Sequence, residues 1–341
     1  MAHSPTPRRF IFVLLDRFTM LPFAAALDAL RLANKMAGAS LYDWRLVGPE
    51  GGFATCSNGS QIRLDAGFGD DLGITRDDAV IVCGGDAITA QATRPVLAWL
   101  RRQARTGAVL GAVCTGAHIL ARAGLLDGRR ATIHWENHDS FSETFPEVDL
   151  HRQVFVDDGA RLTAGGGTSS IDMMLHVIGQ AQGPDLAAQI ADQMLHTGIR
   201  SGRDHQRLSI ATRIGIRHPR LAAVVARIEA NLENPISPSQ LALDAGMSTR
   251  QLERLFMRYL NRSPKRYYLE ARLGRARQLL LNTDLPLIEI AIACGFASSS
   301  HFSKCYRERY GTSPYRERGV QKAGTVVTLP GRPEAVLALA S

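Results

Sequence analysis

The chain has 341 residues, of which 45% are hydrophobic and 21% are charged. This balance is typical of folded globular domains and excludes a disordered or fibrous protein, and the length allows two domains with separate cores. The five cysteines are odd in number and include no Cys-x-x-Cys pair. We therefore expect a reducing compartment, without a disulfide framework, a metal site or a cofactor.

Positive charge is concentrated in the last third of the chain. Residues 217–319 contain 17 Lys and Arg against 9 Asp and Glu, whereas residues 1–216 contain 21 against 22. A basic region joined to a neutral one indicates that only the basic region meets a polyanion such as DNA. A solubilising charged face would give the same count, so charge alone leaves both interpretations open.

The N-terminus predicts neither a secretion signal nor a membrane span. The first apolar run follows Arg8 and Arg9 and ends at Asp16, which makes it too short for a signal-peptide core. No stretch approaches the ~20 apolar residues that cross a bilayer. We expect a cytoplasmic protein that does not contact membranes.

Strand and helix patterns alternate over residues 8–196. Short apolar runs predict strands at Phe10–Leu15, Trp44–Val47, Ala79–Cys83, Ala108–Val113, Ala131–His134 and Arg161–Ala164. Helices are predicted at Phe23–Asn34, Pro95–Arg105, Ala117–Ala123, Ser170–Gly179 and Pro184–His196. Buried strands that alternate with helices favour an α/β fold with a parallel, flavodoxin-like sheet covered on both faces.

The rest of the chain is predicted to be an all-α domain behind a linker. Residues 197–218 are polar and form the predicted interdomain linker. Residues 219–319 have helical patterns throughout, with turn signals that include Gly246, Gly295 and Gly311. Residues 320–341 are predicted to form a flexible tail.

The all-α region contains one pattern twice. Residues 241–247 recur 49 residues later as 290–296, and the pattern over 252–266 recurs 50 residues later over 302–316. Each copy is an apolar helix, a turn on a glycine that permits positive φ, and a second amphipathic helix. This is the helix-turn-helix pattern, and two copies in register favour DNA binding over a helical repeat with charged faces.

The second helix of each copy is the predicted recognition helix. Ser248 is a good N-cap, and Gln251 three residues later completes a capping box. Recognition helices present their first turns to base edges, where Arg suits guanine and Gln suits adenine. The candidate base contacts are Arg250, Gln251, Arg254, Ser299, Ser300, His301 and Lys304. The candidate phosphate contacts, which follow the Ser-Pro pairs, are Lys265, Arg266 and Arg316.

The second copy also carries a family motif. The spacing Gly295-Phe296, Phe302, Tyr306, Tyr310-Gly311 and Ser313-Pro314 resembles the signature of the AraC/XylS-type DNA-binding domain. The resemblance extends over residues 235–318. It implies sequence-specific binding to promoter DNA and activation of transcription through RNA polymerase.

Cys114 lies between a predicted strand and a predicted helix. Ala112 and Gly116, two residues before and after it, are small enough for the sharp turn of a nucleophile elbow. The helix N-terminus is expected to favour the thiolate. His134 and Gly84-Gly85 end neighbouring strands, where the imidazole could act as a base or donor and the backbone N–H groups could bind an anion. Because ligands gather at the carboxyl ends of parallel strands, we predict a pocket here, although packing explains each residue taken alone.

Two segments of this domain resemble a known superfamily. Residues 114–117 (Cys-Thr-Gly-Ala) and 132–135 (Thr-Ile-His-Trp) resemble the PfpI-type branch of the class I glutamine amidotransferase-like superfamily. The resemblance implies a Cys and a His with an acidic residue near the first helix, where Asp28 stands instead of the usual Glu. The domain order is similar to the GlxA group of AraC-type regulators, close to members that sense glycine betaine, carnitine or related methylated amines and amino acids. It implies a homodimer whose N-terminal domain senses a ligand, with catalysis lost.

The predicted function is a ligand-responsive transcription activator. The candidate ligand contacts are Asp28, Gly84, Gly85, Asp86, Cys114, Thr115, His134 and Trp135. A quaternary ammonium ligand would need aromatic faces, for which Trp135, Phe18 and Trp44 are candidates, although each could be core. Two alternatives remain open: a cysteine-dependent amidase or hydrolase that also binds DNA, and a redox sensor that acts through oxidation of Cys114.

Overall fold

The N-terminal domain is built on a mostly parallel sheet. A computed structural model describes residues 6–206 and 218–322. The strands of the main sheet are β1 (Arg8–Leu14), β2 (Tyr42–Gly48), β5 (Ala66–Gly67), β6 (Ala79–Cys83), β7 (Val109–Val113), β10 (Phe155–Asp157) and β11 (Arg161–Ala164). They lie in the order β10-β11-β7-β6-β1-β2-β5, and β10 is antiparallel to β11 whereas the other pairs are parallel. The predicted α/β class is confirmed, with one antiparallel edge.

Helices cover both faces of this sheet. They are α1 (Met20–Ala37), α2 (Ile88–Gln91), α3 (Arg94–Arg105), α4 (Ala117–Arg122), α5 (His138–Thr144), α6 (Ser169–Gln182) and α7 (Pro184–Gln193). Alternate residues of β1 face opposite sides: Phe10 and Phe12 pack in the core with α1, α6 and α7, whereas Ile11 and Val13 pack in the core with α3 and α4. Full burial on both faces explains why β1 has a continuous apolar run instead of an alternating one.

Four short strands lie outside the main sheet. β3 (Phe53–Thr55) pairs with β4 (Gln61–Arg63), and β8 (Arg130–Ala131) pairs with β9 (Asp149–Leu150). The strand predicted at Ala131–His134 is therefore wrong over most of its length. From Thr132 onward the backbone leaves the strand, because the Thr132 N–H is donated to the Thr163 hydroxyl at 2.9 Å. A 3-10 turn, Trp135–Asn137, follows directly.

Residues 197–206 belong to this domain by their contacts. Asp172 of α6 is fully buried and accepts hydrogen bonds from His196 at 2.8 Å and from the Arg200 side chain at 2.6 and 2.9 Å. The Val154 N–H is donated to the Asp204 carbonyl at 2.8 Å. These bonds attach residues 197–206, which the sequence analysis placed in the predicted linker, to the N-terminal domain. Residues 207–217 lie outside the described residues.

The C-terminal domain consists of helices in two similar units. Its helices are α8 (Pro219–Ala230), α9 (Pro238–Asp244), α10 (Thr249–Leu260), α11 (Pro264–Asn282), α12 (Leu287–Ala293), α13 (Ser299–Tyr310) and α14 (Pro314–Lys322). One core centres on Leu252 and Phe256 of α10, and the other on Phe302 and Tyr306 of α13. The predicted all-α domain with two helix-turn-helix units is confirmed. No helix within 6–206 or 218–322 is long and apolar enough to span a membrane.

Candidate functional site

The backbone at Cys114 has the sharp turn of an elbow. Cys114 follows β7 with φ +60°, a conformation that costs energy for a side chain other than glycine. β6 and β11 flank β7 and end level with it, since Cys83 and Ala164 both pair with Val113. The loops after the three strands meet so closely that a Cβ at Gly84 would overlap Gly116, and a Cβ at Gly116 would overlap the Val82 carbonyl oxygen.

The Cys114 thiol is enclosed by protein, and this burial determines the direction of its pKa shift. The residue is 7% exposed, and burial raises the pKa of the thiol. A hydrogen-bond contact with the Thr19 hydroxyl, at 3.8 Å, opposes this shift without cancelling it. The expectation that the helix N-terminus favours the thiolate is therefore wrong, because desolvation outweighs the backbone dipoles. Thr19, which begins α1 as its N-cap, was missed since its hydroxyl reaches the sulfur only through the fold.

His134 and Trp135 form the opposite side of the elbow. The His134 N–H is donated to the Cys114 carbonyl at 3.3 Å, and its ring Nδ1 lies 3.8 Å from a carboxylate oxygen of Glu136. Burial lowers the pKa of His134 and the Glu136 charge opposes this in part, so the imidazole is neutral near pH 7. The Trp135 ring lies 5.7 Å from that of His134 and is 37% exposed. The backbones of Cys114 and His134 are thus joined, and the role predicted for the imidazole stays a prediction.

The Gly84-Gly85 loop packs against the elbow, and the structure engages one of its two predicted amide donors, that of Gly84. The Gly84 N–H is donated to the Val113 carbonyl at 3.2 Å, and the Asp86 N–H to the Arg17 carbonyl at 3.1 Å. The Gly84 N–H is therefore not available to an anion, whereas the anion contact predicted for the Gly85 N–H stays a prediction. The Thr115 hydroxyl is donated to the Gly85 carbonyl at 2.8 Å, which joins the loop to the elbow. Asp86 carries an exposed ion pair with Arg17 at 3.3 Å.

Asp28 does not reach the elbow. It lies more than two turns beyond Thr19 along α1, about 13 Å at the rise of an α-helix. Its carboxylate pairs with Arg31 on the surface of the same helix. The expected acidic partner of Cys114 is therefore wrong, because Asp28 faces away from the sheet while the start of α1 contacts the sulfur. Of the other two aromatic candidates, Phe18 is fully buried and Trp44 packs against the core.

The first recognition helix, α10, begins with a complete capping box. The Ser248 hydroxyl accepts the Gln251 N–H at 3.3 Å, and the Gln251 side-chain oxygen accepts the Ser248 N–H at 2.8 Å. Reading adenine would require that same oxygen, so the cap competes with the predicted base contact of Gln251. Arg250 and Arg254 are exposed on the leading turns of α10.

The second recognition helix, α13, is capped by Ser298, whose hydroxyl accepts the His301 N–H at 3.2 Å. Ser300 and Lys304 are exposed, and Ser299 is half-buried. The His301 ring is engaged within the unit: Nε2 lies 3.4 Å from the Cys305 sulfur, and the ring packs edge-on against Phe296. His301 is thus exposed to solvent, as a base contact requires, while its ring also packs within the unit.

The basic residues near the Ser-Pro pairs differ in their surroundings. Lys265, Arg266 and Arg316 are all exposed, at the starts of α11 and α14. Arg266 is also paired with Glu270 at 2.8 Å, which reduces the positive charge it offers to a phosphate. The backbone N–H groups of Arg266 and Arg316 are each donated to the preceding Ser hydroxyl at 3.2 Å, so the two copies begin their following helices alike.

Arg272 and Gly295 hold the second unit in place. The Arg272 guanidinium donates to the Cys294 carbonyl at 2.7 Å and to the Gly295 carbonyl, and it stacks 4.0 Å above the Phe296 ring. Gly295 has φ +71°, and a Cβ there would lie 2.6 Å from the carbonyl oxygens of both Leu232 and Glu233. The turn of the second unit therefore packs directly on the loop before α9. Sequence patterns did not reveal Arg272, because its partners lie 22 and 23 residues away.

This geometry defines the class of protein. Two capped recognition helices follow glycine turns in a basic domain, and that domain is joined to an α/β domain with a buried cysteine elbow. The chain is a DNA-binding transcription regulator. Among the described residues, no group of three or more His, Cys, Asp or Glu side chains is placed to hold a metal ion.

Comparisons with known proteins give the family. The DJ-1/PfpI family matches residues 8–180, and a helix-turn-helix domain family matches residues 241–319. The chain is 46% identical over 328 residues to the HTH-type transcriptional regulator GbdR of Pseudomonas aeruginosa, covering 96% of this chain and 89% of that one. It is 36% identical to the HTH-type transcriptional regulator GlxA of Rhizobium meliloti, covering 91% and 95%.

A solved structure agrees with this result. The crystal structure of an AraC family transcriptional regulator from Pseudomonas putida matches with a TM-score of 0.50 at 27% identity, over 55% of this chain and all of that one. The chain belongs to the AraC/XylS-type transcription regulators, in the GlxA-type group with an N-terminal DJ-1/PfpI domain. The resemblance stated from the motifs is confirmed, and the chain is a transcription regulator.

The raised pKa of Cys114 predicts its pattern of alkylation. Because burial raises this pKa, the thiolate fraction should still increase about tenfold per pH unit up to pH ~9, where a free thiol is approaching its plateau. Iodoacetamide labelling of the full chain, followed by peptide mass spectrometry, measures the rate. Thr19→Val removes the contact that lowers the pKa and should slow labelling further. A rate that levels off below pH 8 would contradict this account.

The two turn glycines predict unequal effects of one substitution. Gly246 has φ +64°, and a Cβ there would meet no heavy atom within 4 Å, so Gly246→Ala should cost about 1 kcal/mol of stability from backbone strain alone. Gly295→Ala adds a collision with two backbone carbonyls, which no rotamer change relieves, and should abolish DNA binding. Fluorescence anisotropy with operator DNA and thermal melting check both. An unchanged Cys114 labelling rate controls for the N-terminal domain, and equal losses in the two variants would disprove the packing argument.

Proposed function

We propose that the protein is a ligand-responsive transcription activator that acts as a homodimer on promoter DNA and recruits RNA polymerase. In this proposal residues 8–196, extended by the contacts to Gln206, sense a small effector, and residues 219–319 bind DNA. The observation that carries it is the enclosed elbow of Cys114, beside the exposed Trp135, in a chain with two recognition helices. Effector binding at the elbow would then alter DNA affinity or promoter activity.

The state of the thiol supports sensing over chemistry. A cysteine hydrolase needs an accessible thiolate beside a base, and a peroxide sensor needs a low-pKa, solvent-exposed thiol. Cys114 is buried, its pKa is raised, and Asp28 does not approach it. A hydrolase and a peroxide sensor both require an accessible thiol of low pKa, and Cys114 has neither the accessibility nor the low pKa.

The effector class follows from the groups around the elbow. The Trp135 ring lies next to that of His134 and is 37% exposed, and an aromatic ring binds a methylated ammonium without requiring hydrogen bonds. The neutral imidazole of His134 and the hydroxyl of Thr19 offer polar contacts for a second polar end of the ligand. We therefore propose a methylated amine or amino acid, such as glycine betaine or carnitine, in agreement with the family resemblance.

A thermal-shift titration of the full chain tests this effector class. Glycine betaine or carnitine should raise the unfolding temperature in a saturable way, whereas glycine, which lacks the methyl groups, should not. Trp135→Leu keeps an apolar side chain without a π face and should raise the apparent Kd about 5- to 30-fold. Cys114→Ser should retain binding, since a hydroxyl replaces the thiol at nearly the same size. If no methylated compound shifts the unfolding temperature, the proposed effector class is wrong.

A second experiment tests the DNA contacts. Arg254→Ala should weaken operator binding by about 1–3 kcal/mol and relax specificity at one base pair, if the guanidinium reads a guanine. Lys265→Ala should instead weaken operator and random DNA alike and reduce the slope of log K against log salt by about 0.9. Arg63→Ala, on an exposed strand of the N-terminal domain, is the matched control for loss of one charge. Equal affinity of the unaltered protein for operator and random DNA would refute sequence-specific binding.

A further inference from the structure

Residues 201–206 bring the chain next to the elbow region. After the Arg200–Asp172 ion pair, the chain runs alongside the sheet edge, where His205 forms a β-bridge with Gln153. The Gln206 N–H is donated to the Arg152 carbonyl at 3.2 Å. Gln206 is therefore fixed by its backbone, and the next residues along the chain, 207–217, lead to the DNA-binding domain.

The Gln206 side chain turns inward, toward the residues next to His134. Its amide nitrogen lies 2.8 Å from the Thr132 hydroxyl, 2.8 Å from the Ile133 carbonyl and 3.0 Å from the Gln153 carbonyl. These bonds hold the segment that leaves β8 and carries His134. One side chain at the C-terminal end of the domain thus fixes the backbone beside a residue of the candidate effector site.

A second line of contact joins Gln206 to Cys114 itself. Gly165 follows β11, and a Cβ there would overlap the Gln206 amide group. Gly166, the next residue, has φ +90°, and a Cβ there would lie 2.9 Å from the Cα and Cβ of Cys114 and 3.2 Å from its sulfur. The glycine pair is therefore packed between Gln206 on one side and Cys114 on the other, without room for a methyl group at either position.

We propose that Gln206 is the positioning residue that couples occupancy of the Cys114 site to the linker of the DNA-binding domain. An occupant beside the sulfur moves Gly166 or the His134 backbone, and both displacements act on groups that Gln206 contacts. Because Gly165 and Gly166 leave no free space between Cys114 and Gln206, the Gln206 amide must leave its site. Its departure releases residues 204–206 from the sheet. This inference rests on the proposed function in that the elbow is taken as the effector site.

Coupling of this kind is reciprocal in its binding free energies, so a change at Gln206 should also alter how readily the Cys114 site is occupied. Iodoacetamide serves as the probe: the Cys114 thiolate forms a bond to the reagent's methylene carbon, iodide leaves, and an acetamide group stays on the sulfur inside the site. If occupancy expels Gln206, then removing Gln206 must favour occupancy. Gln206→Ala should therefore increase the labelling rate of Cys114 roughly fivefold or more in the full chain. Arg203→Ala, an exposed residue of the same segment, should leave the rate unchanged.

Gly165→Ala provides an independent perturbation of the same contact. The three atoms nearest to the added methyl group all belong to the flexible Gln206 side chain, and Gly165 has no positive φ, so the variant should fold while displacing the amide. It should raise the labelling rate as much as Gln206→Ala does. The double variant should show no further increase, because the contact is already lost. Unchanged single-variant rates, or effects that multiply in the double variant, would overturn the proposal.

Two further readouts separate coupling from mere local loosening. Labelled protein should exchange the amide hydrogens of Val154 and Gln206 faster than unlabelled protein, whereas Cys114→Ser treated in the same way should not. Labelling should also change the affinity of the full chain for its own promoter DNA, and this change should be absent in Gln206→Ala. A DNA affinity that responds equally in both proteins would overturn the role of Gln206. Failure of methylated ligands to bind would instead reject the proposed effector while these results stand.

Discussion

The close approach of three backbone loops at the carboxyl ends of β6, β7 and β11 determines the properties of the N-terminal domain. Cys114 has a left-handed backbone there, among loops so close that a Cβ at Gly84, Gly116 or Gly166 would lie less than 3 Å from a neighbouring atom. The same closeness removes water from the sulfur and raises the pKa of the thiol. In a hydrolase such a turn presents a nucleophile, whereas in this chain the Cys114 turn is buried and tightly packed. Small displacements of its neighbours therefore change its packing, and its buried thiol is poorly suited to repeated catalytic turnover.

The C-terminal domain repeats one motif but stabilises its two copies differently. The first unit relies on local bonds, since Ser248 and Gln251 cap α10 within three residues of each other. The second unit relies on long-range contacts, in which Arg272 of α11 binds the end of α12 and Gly295 packs on the loop before α9. The first unit therefore uses as a cap the side chain that was also predicted to contact a base, and the second unit is fixed by the rest of the domain.

Sequence patterns predicted those features whose cause is local. β6 was predicted at Ala79–Cys83 and is observed there, because five apolar residues in a fully buried strand leave a continuous signal. The HTH turns were found for the same reason, through a glycine at a fixed offset. The acidic partner of Cys114 was misplaced at Asp28, since a helical pattern does not state which residue of α1 meets the next loop. Thr19 and Gln206 were missed because the residues they contact lie far away along the chain.

The contact between Gly295 and the loop at Leu232 and Glu233 has a consequence for the promoters that this regulator recognises. With the second unit packed on the first and both joined by α11, the distance and angle between the recognition helices are set by the protein. B-DNA repeats its major groove every 10–10.5 base pairs, so one inserted base pair turns a subsite by about 34° away from its helix. Base substitutions within the DNA segment read by one recognition helix therefore cost only a modest amount of affinity. A change in the spacing between the two segments costs much more, so we expect this spacing to be the same in all promoters of the regulon.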